Sequence, residues 1–240
     1  PLLPSVAIFF ILSLPMMIFF KETQPSIETK IALKDAQEEG KRFASRFYKF
    51  MRYSPAAVFL IAFFFFNDAI LTLSNNFPIY MEKVFSVSDN IKSITLLVIL
   101  VMSALGAYIF GWLADKIGMK KTLKIIIGAW IVVIPVISTA TSLALFNAVA
   151  VVVGVLYGSI WSVTRAYLSG ILPAHEMNYG FSFYTLMERF ATFAGPLTWG
   201  LIVGSLNESA FGYRTAALIM TVFVIIGYLF VRKIPEYKIN

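Results

Sequence analysis

The chain has 240 residues, of which 59% are hydrophobic and only 14% charged, with a formal net charge of +7 and no cysteine. An ordinary soluble domain carries roughly 25% charged residues, so this composition excludes a simple soluble domain and points to a chain that crosses a bilayer several times. Without Cys there is no disulfide framework or thiolate metal site, and the single His175 cannot form a His cluster, so no metal and no cofactor is expected.

A helix needs about 20 mostly apolar residues to cross roughly 30 Å of hydrocarbon. Seven stretches qualify: 2–20, 56–81, 92–114, 122–141, 144–172, 177–206 and 212–232. The alternating ten-residue segments of a β-barrel do not occur. The expected fold class is an all-α membrane protein with seven transmembrane helices. The chain opens at Pro1 inside an apolar run without a basic leader, which reads as a stretch of a longer chain and not as a signal peptide.

The first span, 2–20, leads into a charged linker, 21–54. Its second half, KRFASRFYKFMR, places Phe43, Phe47, Phe50 and Met51 on one helical face among basic residues, the pattern of an amphipathic helix lying at the membrane surface. It serves either as a basic anchor for the next span or as a lipid-binding element. The remainder, 55–240, holds six spans and reads as one bundle. The linker carries eight Lys and Arg, the turn after the third span four and the tail three. If all seven stretches cross, these fall on one side, and only Lys83, Lys92 and Arg214 fall on the other. The positive-inside rule then makes the linker and the C-terminus cytoplasmic. The basic charge belongs to those loops. No nucleic-acid partner is expected, because no basic surface interleaved with aromatics lies outside the membrane.

The second span is the most polar. Asn67 and Asp68 sit midway, Asn75 and Asn76 lie about two turns further, and Pro78 follows. A broken or bent helix with free carbonyls is expected there, with Asp68 and Asn75 on one face. Intramembrane charge is costly and faces a cavity or a partner. That applies to Asp68, to Arg165 in the fifth span, and to Glu188 and Arg189 in the sixth. Asp68 or Glu188 suits a proton or an ammonium group. Arg165 or Arg189 suits a carboxylate, and mutual neutralisation is the alternative. Tyr157, Trp161, Tyr184 and Trp199 are candidates to line the path, or to pack as ordinary membrane aromatics. Gly154-x-x-x-Gly158 and Gly200-x-x-x-Gly204 predict close helix packing, and Gly195-Pro196 a hinge.

Between the third and fourth spans stands GWLADKIGMKK, residues 111–121. Gly111 permits close helix approach and Gly118 a tight turn with positive φ. The segment resembles the signature loop of the major facilitator superfamily, with Gly111, Leu113, Ala114, Asp115, Lys116, Gly118, Lys120 and Lys121 in matching places. NDAILT (67–72), SVTRAYLSGILP (162–173) and YGFSFYTLMERFATFAGPLTWG (179–200) resemble segments of the Unknown Major Facilitator family, which includes vacuole-effluxer-like permeases. Ala69 departs from that pattern, as do Glu188-Arg189 where a lone Lys is expected.

The resemblance implies that the chain corresponds to helix 6 plus the C-terminal six-helix bundle of a 12-helix transporter. Its partners would be the missing N-terminal bundle, the lipid bilayer and a small-molecule solute such as an amino acid. It further implies secondary transport or efflux by alternating access, with Gly111, Asp115, Lys116, Gly118, Lys120 and Lys121 as a cytoplasmic gate. A non-transporting sensor on the same fold is one rival. A membrane enzyme is another, disfavoured because no His-Glu-x-x-His and no thiol is present. No ATP-binding loop of the Walker type appears.

Overall fold

A computed structural model describes residues 10, 13–15, 29–54 and 56–234, with no strand among them. The first expected span, 2–20, therefore lies almost wholly outside the described residues. In chain order the helices are α1 (Thr29–Tyr53), α2 (Ala56–Phe85), α3 (Asp89–Ile117), α4 (Met119–Thr139), α5 (Leu143–Ile171), α6 (Met177–Phe190), α7 (Ala194–Ser205) and α8 (Ala210–Val231), with a short 3-10 turn at Ala174–Glu176. Two compact units divide at Arg46 and Phe47. In the first, Glu38 and Arg42 form an exposed i,i+4 pair at 3.8 Å on α1.

The second unit holds the bundle. Five helices, α2, α3, α4, α5 and α8, are long and apolar enough to cross a membrane. Two thirds of the apolar window of α2 (67%) is buried, against 11% for α3. Thus α2 is the central helix, and most of the apolar surface of α3 is uncovered by the described residues. Boundaries follow local chemistry. The Ser142 and Ser209 hydroxyls cap α5 and α8, accepting from the Leu145 and Gly212 amides at 3.2 and 3.1 Å. At the far end of α4, the Ile137 and Ser138 carbonyls accept from the Tyr80 hydroxyl (3.2 and 3.4 Å), and Ser138 also from the Arg214 guanidinium (2.9 Å). Arg214 thus closes a helix C-terminus, where cations are favoured.

Several expectations are corrected. The stretch 177–206 is two helices, α6 and α7, parted at Ala191–Phe193, and neither alone is long enough to span. Pro196 explains the break, because its ring would clash with the carbonyl four residues back, at Thr192, if one helix ran through. Such a ring is tolerated in a first turn, where Pro196 sits. By contrast α2 is not broken at Pro78 and runs on to Phe85. Phe77, Tyr80 and Met81 are buried around Pro78, and that packing holds the helix together.

Glycine packing is also split. A Cβ on Gly158 would strike the Ser103 carbonyl, one on Gly106 the Val155 carbonyl, and one on Gly154 would stand 2.8 Å from the Ile99 carbonyl. The α3–α5 contact is therefore backbone on backbone, as the Gly154-x-x-x-Gly158 spacing predicts. A Cβ on Gly111, Gly200 or Gly204 would meet nothing within 4 Å, so the close approach expected of them is not made among the described residues. Finally, the apolar face of α1 does not lie free where it enters the second unit. Phe47 and Phe50 pack edge-on against Phe183 of α6, with ring centroids 5.2 and 5.0 Å away, and Phe50 is buried. Burial against α6 removes those rings from water as effectively as lipid would.

Candidate functional site

Two polar clusters interrupt the apolar interior. The first joins α2 to the start of α7. Asp68 is fully buried, and its Oδ2 accepts a hydrogen bond from the Gly195 amide at 2.6 Å. The first amides of a helix have no partner within it, and that end carries positive partial charge. Phe193, at the N-cap of α7, offers no side-chain acceptor. A carboxylate 127 residues earlier supplies one. Gly195 is needed here because a Cβ would strike the Thr72 hydroxyl and stand 2.9 Å from Asp68 Oδ1. Asp68 Oδ1, Thr72 Oγ1 and Asn67 Nδ2 have no hydrogen-bond partner among the described residues.

The other polar residues of α2 behave differently. Asn76 is half-buried and returns its amide to the Thr72 carbonyl at 2.8 Å. Asn75 is exposed. Seven residues keep Asp68 and Asn75 on similar sides of the helix, but α7 covers Asp68 and leaves Asn75 open.

The second cluster lies between α5 and α6. Tyr157, Trp161 and Arg165 are spaced by four along α5 and share a face. The Tyr157 and Trp161 rings meet edge-on at 6.3 Å, and the Arg165 guanidinium lies 5.8 Å from the Trp161 centroid. Across from them, Tyr184 of α6 is buried and stacks on Phe63 of α2 at 4.1 Å. Its hydroxyl meets the Thr164 hydroxyl at 3.2 Å, with Arg165 and Glu188 beside it. Arg165 is exposed and Glu188 half-buried, so one charge of each sign opens outward from a buried tyrosine. Arg189 is exposed and points elsewhere, as adjacent helical residues must. Trp199 is buried beside Tyr213 and packs in the core.

The charged turn has its own geometry. Gly118 adopts φ 94°, ends α3 and starts α4, and donates its amide to the Ala114 carbonyl at 3.0 Å. Non-glycine residues rarely adopt that conformation. The Thr122 hydroxyl bonds the Gly118 carbonyl at 3.1 Å and stiffens the corner. The Lys116 ammonium stands 3.7 Å from the Trp112 centroid. Asp115 is exposed and Lys120 half-exposed, and no described residue forms an ion pair with Asp115.

The expected residues thus separate. Arg165, Glu188, Tyr157, Trp161 and Tyr184 come together, while Asp68 belongs to a buried contact with α7 and Asn67 is buried with its amide nitrogen unpartnered among the described residues. Thr164 and Thr72 are participants that sequence reading passes over, and Gly195, expected there only as part of a hinge, is the donor to Asp68. The signal for Thr164 and Thr72 was available, a hydroxyl inside an apolar run one turn or less from a charge.

A family model described as Vacuole effluxer Atg22 like matches residues 5–234. A Bacillus subtilis (strain 168) protein named as the uncharacterized MFS-type transporter YxiO is 26% identical over 200 residues, covering 82% of this chain and 45% of its own length. The Danio rerio sodium-dependent lysophosphatidylcholine symporter 1-A is 26% identical over 179 residues, 71% of this chain and 33% of its own. This chain spans less than half the length of the curated relatives it matches. The names are those of transporters and not of enzymes, and with the family match covering nearly the whole sequence, the chain belongs to the Atg22-like vacuole effluxer family.

Proposed function

We propose that this chain is the C-terminal part of a secondary transporter of the major facilitator type, moving a small zwitterionic solute by alternating access. The observation that carries the reading is the convergence of Arg165, Tyr184 and Glu188 beside the Tyr157–Trp161 pair. Arg165 suits a carboxylate or phosphate, Glu188 an ammonium group, and the Tyr184 hydroxyl either. An amino acid carries both charges. So does the lysophosphatidylcholine for which the fish relative is named. Opening of both charges on the surface of the bundle supports a site completed by the rest of the protein. Asp68, Asn67, Asn75, Asn76 and Arg189 then belong to the helices framing the pathway.

In this reading α2, α3, α4, α5, the α6–α7 pair and α8 correspond to helices 7 to 12, and 2–20 to helix 6. A helix broken near its middle supports it, since interrupted helices border the central sites of transporters. The test is uptake into proteoliposomes holding the full-length protein, with radiolabelled amino acids and lysophosphatidylcholine as probes. Uptake of a zwitterion that falls by about tenfold or more, but stays measurable, on removing either of its charges supports the reading. Equal uptake of the singly charged analogues overturns it.

Two further outcomes follow. With the linker and the Asp115 turn on the cytoplasmic side, a single cysteine at position 37 or 120 is blocked by impermeant maleimide only after permeabilisation. Labelling in sealed cells refutes that orientation. The open Asp115 carboxylate, at the end of α3, is free to meet a helix N-terminus elsewhere in the transporter, an interaction worth roughly 0.3–1 kcal/mol at a surface. Asp115→Asn therefore keeps the fold and expression and slows uptake about two- to fivefold. Wild-type turnover removes the gating role.

A further inference from the structure

The break between α6 and α7 is held from outside. Ala191 bonds back to Met187, Thr192 and Phe193 close tighter three-residue turns onto Arg189 and Phe190, and Leu197 resumes regular bonding to Phe193. The Gly195 amide has no such partner and turns to Asp68 of α2. Four backbone bonds and one carboxylate therefore fix the corner. Glu188 and Arg189 lie in the last turn of α6, immediately before it. The charged end of the solute site and the corner share one short stretch of backbone.

The contact is built to be close. Gly195 presents bare backbone to α2, where a Cβ would meet Thr72 and Asp68. Asp68 is fully buried without an ion pair among the described residues, a costly arrangement unless the α7 amides repay it. A buried carboxylate held by one amide, with its second oxygen unpartnered, is poised to release as well as to hold.

We propose that Asp68 is a positioning residue for the solute site: by taking the Gly195 amide it fixes the start of α7 on α2, and so holds the Ala191–Phe193 corner and the charged end of α6 in one position. Release of this bond lets α6 and α7 change their mutual angle at the corner. Asp68 acts through Gly195 and touches no solute. The proposal rests on the reading of Arg165, Tyr184 and Glu188 as the solute site. Its test uses no solute, so a failure of one is distinguishable from a failure of the other.

The test is hydrogen–deuterium exchange of the full-length protein in lipid nanodiscs, followed through peptides covering 185–199 and, for comparison, α3 and α5. Asp68→Ala removes a charge-assisted bond, so exchange over 188–197 rises about tenfold with α3 and α5 unchanged. Asp68→Asn keeps the shape and an acceptor oxygen and loses the charge, and the rise is about threefold. Thr72→Val, which leaves the bond intact, gives no local rise. Unchanged exchange in both Asp68 variants overturns the proposal. So does an Asn variant as fast as the Ala variant, or a rise shared equally by α3 and α5, which marks general loosening. If Asp68→Ala does not fold, the comparison of Asp68→Asn with Thr72→Val decides alone.

Discussion

Replacing Gly158 with alanine is expected to destabilise the bundle by about 3 kcal/mol or more, through a single methyl group. The added carbon lands on the Ser103 carbonyl of α3, and its nearest neighbours are all backbone. Overpacking a core usually costs about 1–3 kcal/mol because side chains give way. A main-chain carbonyl inside a hydrogen-bonded helix cannot swing aside, so α3 must back away from α5 as a whole. Gly106 and Gly154 lie in the same seam and lose their fit with it. For a domain of about 150–250 residues this corresponds to a fall in Tm of roughly 6–12 °C. Thermal unfolding in detergent, followed by circular dichroism, reads it. Gly128 of α4 is the control, since nothing lies within 4 Å of its would-be Cβ and alanine there suits the helix. Equal melting of Gly158→Ala and Gly128→Ala removes the backbone seam. Gly200→Ala extends the test. Gly200 is open among the described residues, so a large loss there places another part of the protein against α7.

The same seam shows how far the sequence could be read. Hydropathy and length marked seven spans, because a bilayer imposes about 20 apolar residues on each crossing, and five of the described helices are long and apolar enough to cross. The Gly118 corner was legible as well, since a positive φ there needs no long-range partner, only the absence of a Cβ. Small-residue spacing marked Gly154 and Gly158 correctly and Gly200 and Gly204 equally, yet among the described residues only the first pair meets a helix. The spacing states that close approach is possible and not what approaches. Proline misled at Pro78 and not at Gly195-Pro196, where a hinge was expected. Pro78 predicted a break that buried neighbours suppress, while Pro196, placed in a first turn, ended the preceding helix. The partner of Asp68 was out of reach, because Gly195 is 127 residues away and contributes only an amide. The convergence of Tyr157, Trp161 and Arg165 followed from helical spacing, but their meeting with Tyr184 and Glu188 depends on how α5 and α6 pack.

That meeting gives the second large effect. Arg165→Gln and Glu188→Gln are each expected to cut uptake of a zwitterionic solute by about 10- to 100-fold, as the loss of one charged hydrogen bond of roughly 1.5–3 kcal/mol requires. Folding should survive both changes, because Arg165 is exposed and Glu188 half-exposed and neither forms an ion pair among the described residues. The two variants should fail differently. Glutamine at 165 weakens recognition of a carboxylate, so it penalises leucine and has little effect on leucinamide, which has no carboxylate. Glutamine at 188 weakens recognition of an ammonium group, so it penalises both probes and spares a solute without that group. Tyr184→Phe removes the hydroxyl between them, while Thr164 keeps its bond to the Ile160 carbonyl at 2.6 Å, so the local helix is undisturbed. Its uptake should fall for every zwitterion alike. Proteoliposome uptake with paired probes separates these patterns. If Arg165→Gln lowers leucine and leucinamide uptake in the same proportion, Arg165 acts on the protein and not on the solute, and the zwitterion site between α5 and α6 is wrong.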